Sequence, residues 1–551
     1  MFEVISMKTV LVGINAKYIH PSIALYQLKA NTSFEVKIKE FTIKESIDKI
    51  YRDLIGENPQ LIGFSCYLWN ITHVIKLSRL LKNNHPEIKI VLGGPEVSYN
   101  ANHFLKETKA DFLIRGEGEV AFSNLLMALN GDGELSNVPS LSYFRDDRFI
   151  QNPMILPDLN KINIAPLSVT DYHKRILYLE SSRGCPFDCS YCLSSLEKRV
   201  RFFPLEKVTG IIKEAIKKRV PIVKFLDRTF NINKKYFLTI LKLIEEENIA
   251  TVFQFEIVAD LLDKEIIEYL STVNSRFIRF EIGIQSTNEE VNVAVNRRQN
   301  LKLLKENILA IRQNTNIELH LDLIVGLPSE TKDSVISSFN EVISWQPTEL
   351  QLGFLKFLRG TRMLDLVEEF GYKYSKNPPY EITRNDLLKE SDLTESKKVE
   401  FVLNKIYNSK WFPKTLLFIF VNNLIDSYYH FFLAFYDYLK ANKFSFSSYQ
   451  RDSLYRLFAS FLKDNISEYS QKLEFLVIQD YLDRSKTRPK KWWIDFRKIE
   501  KKDLVSLIEE KIKPFTKEDF FRNSVVVASK DEAYICFYKN FSAYSFLVPL
   551  H

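Results

Sequence analysis

Along residues 8–130, short apolar runs alternate with stretches whose apolar positions recur every three or four residues. "KTVLVGIN" leads into "PSIALYQLKA", "PQLIGFSCY" into "ITHVIKLSRLLKNN", then come "IKIVLGGPE" and "ADFLIRGEGE", the last running into "AFSNLLMALNG". Strands alternating with amphipathic helices predict a parallel sheet with crossover helices. In such a sheet a ligand sits outside the carboxyl ends of the strands. That edge receives "GINAKYIHPS", "SCYLWN", "GGPE" and "RGEGE". Gly93 and Gly94 allow close backbone approach. Each loop alone reads as a tight turn; four on one edge predict a bound cofactor.

Residues 138–176 carry Pro139, Pro153, Pro157 and Pro166 with little periodicity, and read as a linker. From Leu177 the alternation resumes through "ILYLESSRG", "IVKFLDRTF", "TVFQFEIVAD", "RFIRFEIGIQS", "IELHLDLIVGLPSE" and "ELQLGFLKFLRGT". Six strands with intervening helices predict a partial (β/α) barrel with its chemistry at the carboxyl ends of the strands. Beyond about residue 385 the pattern turns helical and aromatic, and "SVVVASKDEAYICFYKN" with "SAYSFLVPL" reads as a closing hairpin. The expected divisions are 1–137, 138–176, 177–384 and 385–551 in an α/β chain, with no internal repeat.

Composition changes this picture little. The 551 residues are 46% hydrophobic with net charge +7, a balance that permits nucleic-acid binding without pointing to it. Five cysteines make no disulfide framework, so a cytoplasmic setting is expected. The start lacks a signal-peptide pattern. The most apolar later stretch, 415–439, is interrupted by Asn422, Asn423, Asp426, His430 and Asp437, and reads as a buried helix rather than a membrane span.

Three of the five cysteines crowd into "RGCPFDCSYC": Cys185, Cys189 and Cys192 follow the first barrel strand. Three thiolates spaced C-x3-C-x2-C can ligate three corners of a cubane iron–sulfur cluster, leaving the fourth iron open. Structural zinc is the rival reading, but it takes four ligands, and no fourth thiol or histidine lies within local reach.

This stretch resembles the signature of the radical S-adenosylmethionine (SAM) superfamily. The resemblance implies a [4Fe–4S] cluster whose open iron is chelated by SAM. Its reduction would cleave the sulfonium to a hydrogen-abstracting 5′-deoxyadenosyl radical, with a donor such as flavodoxin or ferredoxin supplying the electron. It further implies that Tyr191 contacts adenine and that Asp227, in "FLDRTFN", contacts the SAM amino group. Gln285 and Ser286 of "FEIGIQS", with Arg297 of "NRR", are expected to hold ribose and carboxylate. Gly326 of "DLIVGLPSE" is expected beside adenine, and Glu256 is a further SAM or substrate contact. Asp227 read alone is equally a helix cap, and Arg297 a surface charge.

The N-terminal portion resembles the Rossmann-like cobalamin-binding domain fused to many radical SAM enzymes, on "VLGGPE" (91–96), "FLIRGEGE" (112–119) and Ser65. The implied corrinoid contacts are Asn15, His20, Ser65, Tyr67, Trp69, Gly93, Gly94, Glu96, Gly116, Glu117 and Gly118. His-on corrinoid domains carry Asp-x-His-x-x-Gly, whereas here Tyr18 precedes His20 by two and Ile23 follows it by three. The implication is base-off cobalamin with no protein histidine on cobalt. The remainder, through "LQLGFLKFLRGT", "PPYEI" and "IYNSKWF", resembles a domain of unknown function found in one subfamily of these enzymes. It is expected to be a mostly helical cap walling the substrate pocket. The substrate class, small molecule or peptide, stays open.

Methylation of an unactivated carbon is the leading expectation, with a non-methylating rearrangement or cyclisation as the alternative. RNA methylthiolation would need three additional N-terminal cysteines, and only Cys66 precedes the motif. The basic, aromatic stretch 484–498 is expected to be a solvated face rather than a nucleic-acid surface. A corrinoid sensor would leave the barrel without a purpose.

Overall fold

A computed structural model describes residues 7–165, 167, 171–248, 250–485, 501–508, 516–539 and 542–550. The chain divides into two compact units, Met1–Ser338 with Gln351–Glu390, and Phe339–Leu350 with Ser391–His551.

The first unit opens with a seven-stranded sheet ordered β2-β1-β3-β4-β5-β6-β7. Its strands are β1 (Thr9–Asn15), β2 (Val36–Thr42), β3 (Leu61–Ser65), β4 (Lys89–Gly93), β5 (Phe112–Ile114), β6 (Leu141–Arg145) and β7 (Arg148–Gln151). The first five pair in parallel and the last two are antiparallel additions, so the stretch expected as a linker begins inside the sheet. Every residue of β1 is buried because helices cover both faces. Val10, Val12 and Ile14 enter one core and Leu11 the other, as the two-residue period of a strand requires. The strand order reverses between β1 and β3, which opens a crevice beyond Asn15 and Ser65.

A second sheet follows in the order β15-β14-β13-β12-β11-β8, comprising β8 (Leu177–Leu179), β11 (Ile222–Phe225), β12 (Val252–Ile257), β13 (Ile278–Gln285), β14 (Glu318–Val325) and β15 (Glu349–Phe354). The β8-β11-β12-β13-β14 ladders are parallel, as a half-barrel with crossover helices demands. In β12, β13 and β14 burial alternates strictly: Phe253, Phe255, Phe280 and Ile282 pack outward under the helices, while the polar partners face the concave side. The two-residue strands β9 (Ser182–Arg183) and β10 (Arg201–Phe202) bracket the cysteine loop. A short antiparallel pair, β16 (Lys373–Tyr374) and β17 (Ile382–Arg384), closes this unit.

The second unit is helical, with an aromatic core in which Phe412 lies 4.5 Å from Tyr455 and 4.8 Å from Phe458 between ring centroids. Two expectations are corrected here. The apolar stretch 415–439 is two helices, Pro413–Val421 and Tyr428–Ala441, because Asn423 adopts a left-handed φ of 49° and Ser427 caps the second helix through His430 N. Buried Asp480 caps the first, accepting from Lys414 N and Thr415 N at 3.0 Å each. The closing hairpin is a three-stranded meander of β18 (Ser524–Ala528), β19 (Glu532–Lys539) and β20 (Ser542–Pro549). "SKDE" is itself a turn. The basic stretch expected as a solvated face falls outside the described residues from 486 onward. No described helix is long and apolar enough to cross a membrane.

Candidate active site

The cysteine loop leaves β9 through Gly184, whose φ of 89° suits glycine and whose added Cβ would stand 2.4 Å from the Arg199 carbonyl oxygen. The loop is pinned where Cys185 N donates to Glu197 O (2.9 Å), Ser190 N to Val295 O (2.9 Å) and Cys192 N to Cys189 O (3.1 Å). Cys185 and Cys189 are buried and Cys192 half-buried, all free thiols. Burial pushes the Cys185 thiol up, the neighbouring sulfurs adding to the shift. Among the described residues, no three His, Cys, Asp or Glu side chains are gathered closely enough to hold a single metal ion.

Of the SAM residues expected, the structure brings Tyr191, Arg297 and Gln285 to the cysteines. Arg297 Nη1 lies 3.8 Å from Cys189 Sγ and 3.4 Å from the Tyr191 hydroxyl, and Nη2 donates to the Gly283 carbonyl. Arg297 is therefore no surface charge. Gln285 ends β13 with a φ of 70°, and its side chain fills the space beside Gly283, where an added Cβ would meet Nε2 at 2.3 Å. Gln285 Oε1 is buried with no hydrogen-bond partner. A strained residue with an orphaned acceptor beside a thiol loop fits a ligand that donates a hydroxyl, as the SAM ribose does.

Three other expected residues are engaged elsewhere. Asp227, buried, accepts from Ser181 N (2.9 Å), Ser181 Oγ (2.5 Å) and Ser182 Oγ (2.6 Å), and burial pushes its carboxyl up to about 6. Ser286 is fully buried, pairing with Ser338 Oγ at 3.3 Å and accepting from Asn288 N. Gly326, at a φ of 99°, donates to Glu330 Oε2 at 2.7 Å, and its carbonyl accepts the Tyr372 hydroxyl. Glu256 does face the concave side, 3.3 Å from Arg228 Nη1; burial holds its carboxyl above the ordinary range against that cation.

Sequence reading missed the rest of this concave lining. Lys224 Nζ and Gln254 Nε2 both donate to Glu281 Oε2 at 2.7 Å, and His320 Nε2 lies 3.3 Å from Asp322 Oδ1. Burial opposes ionisation of Glu281, yet Lys224 holds it below the usual range. The signal was available in "VFQFEI", "IRFEIGIQ" and "ELHLDLIV", where every second residue is polar or glycine nearly throughout.

At the first sheet, the crevice gathers Asn15, Ser65, Trp69 and Gly94. Asn70 Nδ2 donates to Ile14 O and Ser65 O, Trp69 Nε1 donates to Ile14 O, and Ser65 Oγ lies 3.1 Å from Ser22 Oγ. Asn15 Nδ2 is taken by Glu40. Gly94, at a φ of 117°, brings its loop against Cys66, where an added Cβ would meet the carbonyl oxygen at 2.5 Å. An added Cβ at Gly93 would meet only the Ile114 carbonyl oxygen, at 3.8 Å, Gly116 abuts Met154, and Gly118 precedes the helix Glu119–Leu129. Tyr67 stacks on Trp69 at 4.5 Å and 6°, Trp69 stays 47% exposed, and Tyr18 and Ile19, in the loop after β1, are exposed as well. Such an apolar rim around a glycine-lined crevice fits a broad, flat cofactor such as a corrin.

His20, Glu117 and Glu96 turn from this crevice toward the barrel. His20 Nδ1 meets the Tyr178 hydroxyl at 2.7 Å; burial, then Lys17, lowers the imidazole pKa. Glu117 pairs with Arg183 Nη1 at 2.6 Å and with Arg201, while Arg183 Nη2 reaches Glu119 (2.5 Å) and Glu180 (2.8 Å). Glu96 accepts the Tyr380 hydroxyl at 2.6 Å.

A thiol loop at the mouth of a half-barrel and a glycine-lined crevice at a Rossmann-like sheet are the arrangement expected of a cobalamin-dependent radical SAM enzyme. Family matches agree: the B12 binding domain over residues 9–126, the Radical SAM superfamily over 179–342 and a protein of unknown function, DUF4080, over 368–544. The chain belongs to the B12-binding radical SAM enzymes that end in a DUF4080 domain. It is 23% identical over 376 residues to an uncharacterized methyltransferase, PH0819, of Pyrococcus horikoshii, spanning 65% of this chain and 80% of that one. It is 27% identical over 300 residues to the cobalamin-dependent radical SAM methyltransferase TokK of Streptomyces tokunonensis, covering 50% of this chain and 44% of that protein's length. The structure of the cobalamin-dependent SAM radical enzyme OxsB with aqua-cobalamin bound shares the fold at a TM-score of 0.58 and 14% identity, over 94% of this chain and 82% of that one.

Proposed function

We propose that this chain transfers a methyl group from SAM to a poorly reactive carbon. The observation that carries this reading is the joining of the two sites: His20 to Tyr178 and Glu117 to Arg183 hold the sheet-edge crevice against the half-barrel. That both sequence relatives described above are named methyltransferases favours methyl transfer.

Cys185, Cys189 and Cys192 would hold the cluster, and the crevice at Ser65, Trp69, Gly93 and Gly94 the cobalamin. The chemistry supplied at these two places would be one electron from the cluster for cleavage of SAM and a methyl carrier in the cobalamin. Arg297 offers its cation to the SAM carboxylate and Gln285 Oε1 accepts from the ribose. Glu256 is the half-buried carboxylate left for the amino group, since Asp227 is fully hydrogen-bonded to Ser181 and Ser182. Tyr178 takes Nδ1 of His20 and leaves Nε2 unengaged by that contact, so the base-off reading without a protein histidine rests on the departure from Asp-x-His-x-x-Gly around His20.

The test is anaerobic turnover with cluster, cobalamin, SAM and a strong reductant, quantifying nucleosides. S-adenosylhomocysteine together with 5′-deoxyadenosine is expected. 5′-Deoxyadenosine alone, with candidate substrates present, would replace methyl transfer by a radical rearrangement.

A further inference from the structure

Neither the radical SAM nor the DUF4080 match covers residues 343–367, and that gap holds a segment reaching both cofactor loops. At one end, Arg362 Nη2 donates to the Asp188 carbonyl at 2.5 Å and pairs with its carboxylate at 2.6 Å, while Met363 N donates to Ser190 O at 2.9 Å. Asp188 and Ser190 flank Cys189, so these bonds fix the backbone on both sides of one thiol. At the other end, the Arg359 guanidinium lies 5.3 Å from the Phe104 ring and 5.2 Å from Tyr380, with Nε 3.5 Å from Glu96 Oε1. The Tyr380 hydroxyl donates to the same Glu96 oxygen at 2.6 Å. Gly360, at a φ of 86°, lets Tyr99 lie against the backbone, because an added Cβ would stand 2.4 Å from its ring.

The segment is further held along residues 374–381. Phe357 N donates to Tyr380 O at 3.0 Å, Lys356 and Glu381 form an antiparallel backbone bridge, and the Phe357 ring stacks on Tyr374 at 4.3 Å. Arg362 lies three residues beyond Arg359, a reach of about 10 Å when extended. A chain this short with both ends bonded transmits displacement instead of absorbing it.

We infer that Phe357–Met363 is a strap coupling the crevice loop at Glu96–Tyr99 to the cluster loop at Asp188–Ser190, with Arg362 and Tyr380 as its positioning residues. This rests on the cofactor assignment proposed above. Coupling between sites is reciprocal, so damage at either end is felt at the far cofactor.

The test uses the full chain with its cluster reconstituted, titrated with hydroxocobalamin and examined by electron paramagnetic resonance (EPR) of the reduced cluster. Arg362→Ala, at the cluster end, is expected to weaken hydroxocobalamin binding about fivefold or more, the lower bound of common site couplings. Tyr380→Phe, at the crevice end, is expected to shift the g-values of the cluster. Lys198→Ala removes the other cation on Asp188 without touching the strap and is expected to do neither. If Arg362→Ala does not fold, Arg362→Lys keeps the charge while losing the planar fork and answers the same question. Variants that disturb only the cofactor at their own end, or neither, overturn the strap. A wild-type chain that takes up its cluster but no hydroxocobalamin overturns the cofactor assignment itself, and the strap with it.

Discussion

Ser181 gives Asp227 both of its donors, the backbone N–H at 2.9 Å and the hydroxyl at 2.5 Å, four residues before Cys185. The carboxylate expected to touch SAM anchors the strand that delivers Cys185. Asp227→Asn swaps one acceptor oxygen for a donor that faces hydroxyls, at a cost of about 1–3 kcal/mol. Iron per chain after reconstitution is expected to fall, while SAM affinity per intact cluster is unchanged.

The same residue sets a pH dependence. Its carboxyl is pushed up to about 6 from an ordinary 3.8, chiefly by burial. A raised folded-state pKa contributes stability that is present below 3.8 and lost as pH rises through about 6, here about 3 kcal/mol. Urea midpoints of the apo chain are therefore expected to fall relative to those of Asp227→Asn between pH 4.5 and pH 7. Parallel curves for the two proteins would remove Asp227 as the titrating group.

Arg297 touches Cys189 and Tyr191 without holding the loop's backbone. Arg297→Ala is expected to leave iron content near wild type and to weaken SAM binding about tenfold or more, the worth of one charge-assisted hydrogen bond. Equilibrium binding of SAM to the oxidised, reconstituted protein measures this.

Glu117 stands between Arg183 and Arg201, with all three side chains largely buried. Arg183 keeps Glu119 and Glu180 and Arg201 keeps Glu197, so Glu117→Gln weakens two buried charge-assisted hydrogen bonds without stranding a cation and is expected to cost about 3 kcal/mol in urea unfolding. A loss below about 0.5 kcal/mol, the range of exposed pairs, would mean that the network is solvated.

Trp69 presents a flat indole at the sheet-order reversal, supported from behind by Tyr67. Trp69→Ala is expected to reduce hydroxocobalamin retention on gel filtration while leaving the cluster absorbance unchanged.

The cysteine triad stands out because its three thiols lie within eight consecutive residues, and the strand–helix alternation laid out both sheets. Asp227 was not, because its partners Ser181 and Ser182 lie some 45 residues away and a carboxylate in a motif looks the same whether it faces ligand or backbone. Glu117 was read as a corrinoid contact for the same reason: Arg183, 66 residues on, decides where its charge points. The break in 415–439 was signalled locally by Asn422, Asn423 and Ser427, but the apolar residues on both sides masked it. Gln285 carried no residue-level sign of its left-handed backbone.

The most direct test of the central claim is 5′-deoxyadenosine formation from SAM by the reduced, reconstituted chain, compared with Cys189→Ala. The account predicts product from wild type and none from the variant. Equal yields from both, or none from wild type with an intact cluster, would contradict it.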